Sequence, residues 1–454
     1  MNDELTKWHW EQQPEAANLL AGWLDDACSK NAWLKDFGER LYATSGNRLG
    51  DLVEMWIVPD NEENRGDLGR VGYVEQDVPA DGPIFHHPGG MFPRVMLAPH
   101  HETDLGIKVE SCADFAVAHG LTSAIHGKPG QLVRYVAAAK ENGLNVYGIE
   151  RRGTLVADCA KLDSPSVADQ AEVLEAFRTR PRKFDDEVAG FEQMATLIDN
   201  AVDKVGRDVA CELWFAAERD YWQRRNRAAR WQYARQDALG VGWANHDHHT
   251  YRSSRKHFHR LVALWEKLGF HCRERFYPGP EAGWGAQVME QPVCGIVTFN
   301  DVDISPDELL TDFAHEPMEE RDELATVGLW CGLHGESVLQ AGMHHLECTF
   351  DFVALRDQMA DDGIKTMRAF SDFDYLKQAF TEGERWPVAE DRIAALLDAG
   401  KIDAAQADEF RNNGAIGSHL ENLERNNGFK GFNQTGVTQV IKETDPRRQK
   451  LAGV

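Results

Sequence analysis

The spacing of apolar residues is helical in the first forty positions and then becomes typical of strands. The helical stripe consists of Trp8, Trp10, Leu19, Leu20, Trp23 and Leu24. From about residue 50, short β-rich runs such as LVEMWIV (52–58) and LGIKV (105–109) alternate with loops rich in Asp, Gly and Pro. This pattern predicts an N-terminal α+β domain over residues 1–160. A degenerate, non-catalytic module is one form that this domain could take.

Strand signals almost disappear between Ser164 and Leu239, where the apolar spacing is again helical. The last part of this run interleaves arginines with Tyr and Trp, a combination that can stack on nucleic acid. Arginines of an acidic protein pair more often with the protein's own carboxylates, and such aromatic residues more often pack in a core. We therefore predict a helical connector over residues 161–240.

Beyond Gly240 a strand, a helix and further strands occur twice, with the two passes beginning near His246 and His344. The first pass runs through ANHDHHTYR, a helix that Ser253 or Ser254 caps, and three strands. The second runs through MHHLECTFDF, a helix, a partly helical insertion (370–417) and the strand segments SHLENLER and GFKGFNQ. This internal repeat predicts paired βαβββ modules over residues 241–454 and an α+β fold class.

The composition is that of a globular protein, with 454 residues, 42% hydrophobic and 27% charged. Lys and Arg total 49 against 74 for Asp and Glu, and the resulting net charge of -25 disfavours nucleic acid and anionic membranes as partners. The sequence contains neither a signal-peptide pattern nor an apolar run long enough to span a bilayer. We expect a soluble, cytoplasmic chain, and the sequence leaves a homo-oligomer open.

Histidines are concentrated in the repeat, where eleven of the 18 lie at or after position 246. Neutral imidazole is the commonest metal ligand in proteins. Because side chains alternate along a strand, His246 and His248 are expected to share one face, whereas His344 and His345 point to opposite faces. If the two modules curl around one pocket, one histidine from each opening strand can meet there.

A carboxylate from a later strand, Glu290 or Glu421, would complete a set of two histidines and one carboxylate, and Glu421 has the better context. Such a set leaves positions open on an octahedral metal, as Fe(II) requires to bind a chelating substrate and O2 together. A second, less favoured metal site would use His86, His87, His100 and His101, with the carboxylates of Glu102 and Asp104. No phosphate-binding loop or nucleophile elbow appears in the required strand-to-helix context.

Several segments of the repeat resemble the 4-hydroxyphenylpyruvate dioxygenase family of the vicinal-oxygen-chelate superfamily, which includes glyoxalases and extradiol dioxygenases. The segment beginning His345-Leu-Glu-Cys-Thr resembles that family's metal-binding opening strand. Glu421-Asn-Leu-Glu-Arg, followed by Gly428-Phe429-Lys430-Gly431-Phe432-Asn433 and a helix from Thr435, resembles its terminal iron-ligand strand, turn and lid helix. The His248-x-x-x-Arg252 element is more distantly similar to the 2-oxoadipate dioxygenase/decarboxylase family.

The resemblance covers roughly residues 241–445 and implies a mononuclear non-haem Fe(II) dioxygenase acting on a small oxo acid or another oxygen-chelating substrate. The implied ligands are His248, with His246 as its alternative, His345 and Glu421. The implied substrate contacts are Phe429, Phe432 and Asn433. Mn, Zn, Ni or Co could occupy the same ligands, and a redox-neutral lyase, isomerase or hydrolase, or a non-catalytic binding protein, are the alternative functions.

Overall fold

A computed structural model describes residues 10–78, 82–99, 102–154, 164–279, 282–433, 445 and 447. The strands are β1 Val53–Pro59, β2 Val74–Gln76, β3 Ile84–His86, β4 Arg94–Ala98, β5 Thr103–Lys108, β6 Ile125–His126, β7 Val133–Glu141, β8 Leu144–Arg151, β9 His246–Arg252, β10 His271–Phe276, β11 Gly285–Gln291, β12 Ile296–Val302, β13 His345–Thr349, β14 Ser371–Phe373, β15 Leu376–Phe380, β16 Glu384–Trp386 and β17 Ala415–Arg425. The α-helices are α1 Pro14–Lys30, α2 Ala32–Ser45, α3 Glu62–Arg70, α4 Cys112–Ala118, α5 Val167–Thr179, α6 Glu187–Val205, α7 Arg207–Arg224, α8 Arg227–Asp237, α9 Phe258–Lys267, α10 Thr326–His334, α11 Phe352–Asp361, α12 Glu390–Asp398 and α13 Ala404–Asn413.

The C-terminal sheet has the strand order β10-β11-β12-β9-β13-β17-β15-β14, with β16 paired to β17. Its two opening strands, β9 and β13, are antiparallel neighbours at the centre. Each lies parallel to the closing strand of its own module, β12 or β17. This is the paired βαβββ arrangement of the vicinal-oxygen-chelate fold, and it confirms the predicted α+β fold class.

The N-terminal sheet repeats this topology, with the strand order β2-β3-β4-β1-β5-β8-β7-β6. Here β1 and β5 are the antiparallel central pair, and β4 and β8 lie parallel to them. The modules β1-α3-β2-β3-β4 and β5-α4-β6-β7-β8 therefore form a second pair, which the sequence pattern did not reveal. The domain limits at residues 160 and 240 stay predictions.

Helices α5 to α8 lie between the two sheets in the chain and form one large core with α9 and the C-terminal sheet. Trp214, Phe215, Tyr251 and Trp265 are fully buried in this core. Early in the connector, the guanidinium nitrogens of Arg180 and Arg182 lie 2.6 and 2.5 Å from Glu218 Oε1. In the stretch with interleaved aromatic residues, Arg219 lies 3.7 Å from the Glu110 carboxylate, whereas Arg230 and Arg235 donate to backbone carbonyls instead of the expected carboxylates. Within the part of the chain that the structure describes, no helix has the length and apolar content needed to cross a bilayer.

Two local predictions in the repeat are wrong. Helix α9 follows His257 rather than a serine cap, because the Ser253 hydroxyl and the Ser254 amide both donate to the Glu336 carboxylate instead. The segment 428–433 is not a strand, since Gly428 adopts φ +62° and the chain turns there. The proposed lid helix from Thr435 lies outside the described residues.

The turn at 427–433 is tied to the N-terminal half of the chain. The Gln13 amide donates to the Asn427 carbonyl at 2.7 Å, and the Met91 amide donates to the Gly428 carbonyl at 2.9 Å. The ring of Phe92 lies so close to Gly428 that an added Cβ would come within 2.1 Å of it. The position of this turn, next to the cavity described below, therefore depends on contacts from both halves.

Candidate metal centre

Three adjacent strands at the middle of the C-terminal sheet place the candidate ligands side by side. Glu347 of β13 lies opposite His248 of β9 on one side and opposite Glu421 of β17 on the other. His345 precedes Glu347 by two residues, so both side chains lie on the same face of β13. The strand register thus groups two histidines and two glutamates.

The ligand atoms of this group form two overlapping sets that share Glu347: Asp247, His248 and Glu347 in one, and His345, Glu347 and Glu421 in the other. His345 Nε2 lies 3.2 Å from Glu347 Oε1 and 3.6 Å from Glu421 Oε2, while His248 Nε2 is in direct contact with Glu347 Oε2. All four residues are buried. Among the described residues, His248 Nε2 and the Oε2 atoms of Glu347 and Glu421 make no hydrogen bond of ordinary geometry. Buried polar atoms normally have partners, so these facing lone pairs fit a bound cation.

Neighbouring side chains orient two of the candidate ligands. His248 Nδ1 lies 2.7 Å from Asp247 Oδ1, and Arg425 binds the Asp247 carboxylate through two nitrogens at 2.8 and 3.0 Å. The Gln378 amide donates to Glu421 Oε1 at 3.0 Å. A carboxylate behind a histidine fixes the tautomer that leaves Nε2 unprotonated, as metal binding requires.

Burial controls the protonation of the group. It lowers the pKa of His248 to about 4, despite the opposing effect of Asp247, and it lowers the pKa of His345 well below its usual value. It also raises the pKa of Glu421 to about 7 and that of Glu347, which faces Glu421, well above the usual range. Both imidazoles are therefore neutral near pH 7, and a cation would displace protons from the carboxyl groups.

Asp247 behaves differently from the two glutamates, although it is equally buried. Burial alone would raise the pKa of its carboxyl group, but Arg425 and His248 outweigh burial and hold that pKa below its usual range. Asp247 is therefore ionised beside His248, as a carboxylate that orients a histidine must be.

The other candidate residues are not placed as ligands. His246 packs against His249, with ring centroids 5.2 Å apart, because a register shift opposite Cys348 ends the alternation that was expected to put His246 and His248 on one face. His344 Nδ1 bonds to the Gly417 carbonyl, although His344 and His345 both line the cavity. Glu290 binds Lys430 at 3.2 Å. Within the described ranges, His246, His344 and Glu290 belong to no group of three converging ligand atoms.

A cavity of about 60 Å³ adjoins His345, Glu347 and Glu421 and has room for a few water-sized groups. Its aromatic walls are Phe276, Trp284, Phe299, Phe370, Phe380 and Phe432. Phe432 meets the His248 ring edge-on at 4.9 Å, and Asn433 lines the cavity while its amide donates to the Phe370 carbonyl. Phe429 instead packs against Tyr375 and is not in the cavity wall.

The less favoured N-terminal site receives no support from the described residues. His87 Nε2 lies 3.0 Å from the Val71 carbonyl, and His100 and His101 lie outside the described residues. In that half of the chain, as far as it is described, no three ligand atoms converge. A separate group, Glu187, His257 and Glu336, does converge, but Arg392 binds Glu187 and two serines bind Glu336.

Sequence reasoning missed Glu347, Asp247, Arg425 and Gln378. Glu347 had a usable signal, since it lies two residues after His345 and must share its face on a strand. Asp247 and Arg425 gave no such signal, because their pairing joins β9 to β17 across 178 residues of chain.

Comparisons with known proteins found no matching family model and no similar curated protein. A 4-hydroxymandelate synthase variant from Streptomyces coelicolor aligns at 13% identity and a TM-score of 0.31, covering 89% of this chain and 100% of that one. Methylmalonyl-CoA epimerase from Mycobacterium tuberculosis aligns at 11% and 0.24, covering 40% and 88%. A xylose isomerase-like TIM barrel/4-hydroxyphenylpyruvate dioxygenase fusion protein aligns at 10% and 0.27, covering 88% and 52%. At such scores, the function has to be argued from the site itself.

Proposed function

We propose that the C-terminal module pair holds one divalent metal, Fe(II), through His248, His345 and Glu421, and that the chain is a mononuclear non-haem dioxygenase. Its substrate would be a small oxo acid or another oxygen-chelating molecule, with O2 as co-substrate. The observation that supports the proposal is the convergence of His345 with two buried carboxylates beside a cavity, together with the contact of His248 Nε2 on one of those carboxylates, Glu347.

Fe(II), when bound there, supplies the redox chemistry that lets O2 oxidise a chelating substrate. The chain's own residues supply placement and water exclusion. Asp247, held by Arg425, fixes the His248 ring, and Gln378 fixes one oxygen of Glu421. The aromatic walls keep the reacting region dry, with Phe432 covering the edge of His248. Arg252 and Asn433 add polar groups to the cavity wall that can orient a substrate.

The proposal is tested by metal binding and oxygen uptake. His345→Ala and Glu421→Ala should each abolish stoichiometric metal binding while the fold, checked by circular dichroism, is kept. Fe(II)-loaded wild-type protein should consume O2 with at least one member of a panel of 2-oxo acids and catechols. Retained metal binding in both variants would refute the ligand assignment.

A redox-neutral lyase, isomerase or hydrolase that uses the metal as a Lewis acid is the second candidate function. The specific observation in its favour is Glu347, a second carboxylate within 3.2 Å of His345. Such an enzyme would convert its substrate even under strictly anaerobic conditions. A dioxygenase needs O2 for turnover and would be inactive under those conditions.

A further inference from the structure

We infer that Glu347 is itself a metal ligand, so that the centre has two histidines and two glutamates rather than the predicted three ligands. The inference rests on the proposed function, because it concerns the same metal, but it changes the donor set and the number of positions left for other molecules. Three features of the chain support it: the position of the carboxylate, its strand register and the balance of buried charge.

The Glu347 carboxylate lies between the two candidate histidines. Its Oε2 contacts His248 Nε2, and its Oε1 lies 3.2 Å from His345 Nε2. A metal bonds histidine nitrogen and carboxylate oxygen at about 2.0 to 2.2 Å. An ion bound to either Nε2 atom would therefore lie close to this carboxylate. Glu347 is also the residue shared by the two groups of converging ligand atoms. One group contains His248, and the other contains His345 and Glu421.

The strand register fixes Glu347 in this position. Its backbone is held on both sides by the ladders to β9 and β17, where its partners are His248 and Glu421 themselves. The residue is 5% exposed. Glu347 therefore cannot reach solvent without a change in the central strands of the sheet, and the side chain remains next to the metal position.

The buried charges near Glu347 also fit a cation beside it. Asp247 is neutralised by Arg425, and Arg252 lies 3.3 Å from Asp301. Across the described residues, the ion-pair contacts of Glu347 and Glu421 are with histidines alone. One divalent cation balances two buried carboxylates, whereas three-ligand binding would leave Glu347 protonated beside the metal.

A fourth protein ligand reduces the number of metal positions that substrate and O2 can occupy. Four protein ligands leave two positions on an octahedral metal, which a substrate chelating through two oxygens would fill completely. Binding of O2 to the metal would then require the Glu347 carboxylate to move into the cavity that it lines. A Lewis-acid reaction would need no such movement.

The test compares Mn(II) binding by wild type, Glu347→Ala, Glu347→Gln, Glu421→Ala and a matched control, Glu424→Gln. Glu424 lies on β17 with Glu421, is also largely buried, and caps the Phe352 amide instead of facing the cavity. Affinity is measured by calorimetry, and the number of water molecules exchanging at bound Mn(II) is measured by proton relaxation. Circular dichroism and thermal melting of the metal-free proteins establish that each variant is folded.

A ligand role for Glu347 predicts that folded Glu347→Ala binds Mn(II) more than about 100-fold more weakly than wild type, since changes behind the ligands already cost about 10–100-fold. At saturation, it should carry one more exchanging water. If Glu347→Ala does not fold, Glu347→Gln decides by its affinity. This inference is overturned if the folded Glu347 variants bind Mn(II) with wild-type affinity and carry the wild-type number of waters. The proposed function still stands in that case, provided that Glu421→Ala loses Mn(II) binding. Failure of the wild type to bind metal overturns the proposed function itself.

Discussion

Arg425 binds Asp247 through two nitrogen–oxygen contacts of 2.8 and 3.0 Å, and Asp247 in turn bonds to the ring of His248. The same guanidinium donates to the Gly431 carbonyl at 2.6 Å, in the turn that carries Phe432. One buried arginine thus orients a candidate metal ligand and holds the aromatic residue that covers it.

This relationship predicts the effect of Asp247→Asn. The amide cannot neutralise Arg425 or fix the His248 tautomer, so we expect metal affinity to fall by about 10–100-fold. Calorimetric titration with Mn(II) measures the change. Asp351→Asn is a matched control, because Asp351 caps helix α11 and asparagine caps helices equally well. Equal affinities for Asp247→Asn and wild type would contradict the positioning role.

Substitution of the two alternative histidines separates them. His248→Ala removes a nitrogen that faces Glu347, whereas His246→Ala removes a ring that packs on His249. We expect metal binding to be lost in the first variant and unchanged in the second. Elemental analysis after reconstitution measures both, and the opposite result would move the first ligand to His246.

Metal binding should strengthen as the pH rises through neutrality. Burial raises the pKa of Glu421 to about 7, and carboxylates bind metal only when ionised. The pKa of His248 is about 4, so this histidine is already neutral and contributes no change in that range. Titration with Mn(II) at about pH 6 and pH 8, in buffers of different ionisation enthalpy, should show tighter binding at the higher pH together with proton release. A pH-independent affinity without proton release would contradict the protonation states assigned to the site.

The buried ion pairs of Glu218 should contribute to stability but not to metal binding. Glu218 bonds to Arg180 and Arg182, and the side chains of Glu218 and Arg180 are fully buried. Glu218→Gln leaves two guanidinium groups without a counter-charge, which costs about 3–5 kcal/mol of unfolding free energy for a buried pair. Urea unfolding measures this loss. A loss below about 1 kcal/mol, the level of an exposed pair, would contradict the argument.

Gly428→Ala should disturb the turn that carries Phe432. The residue has φ +62°, and a Cβ there would lie 2.1 Å from the Phe92 ring. Gly363→Ala is the matched control, because Gly363 has φ +70° but an added Cβ meets nothing within 4 Å. We expect the control to lose about 1 kcal/mol of unfolding free energy, from backbone strain alone, and Gly428→Ala to lose more. Equal losses would show that the contact with Phe92 does not constrain the turn.

The first C-terminal module could be predicted from the sequence because β9, β11 and β12 contain seven residues each and because α9 has a clear apolar face, formed by Leu261, Leu264 and Trp265. The N-terminal module pair could not be predicted because β2, β3 and β6 contain only two or three residues each, which is too short for a periodic pattern of apolar residues. His345 and Glu421 could be proposed because their segments resemble the metal-binding strands of a known family, since alternation alone left His344 and His345 as alternatives. The position of His246 could not, because alternation fails at the register shift opposite Cys348.

The most direct test of the central claim is the metal content of the 454-residue chain, measured by elemental analysis before and after anaerobic reconstitution with Fe(II). The account predicts about one equivalent of metal per chain in the wild type and none in His345→Ala or Glu421→Ala. Less than about one-tenth of an equivalent in the reconstituted wild type, with the protein folded, would contradict it.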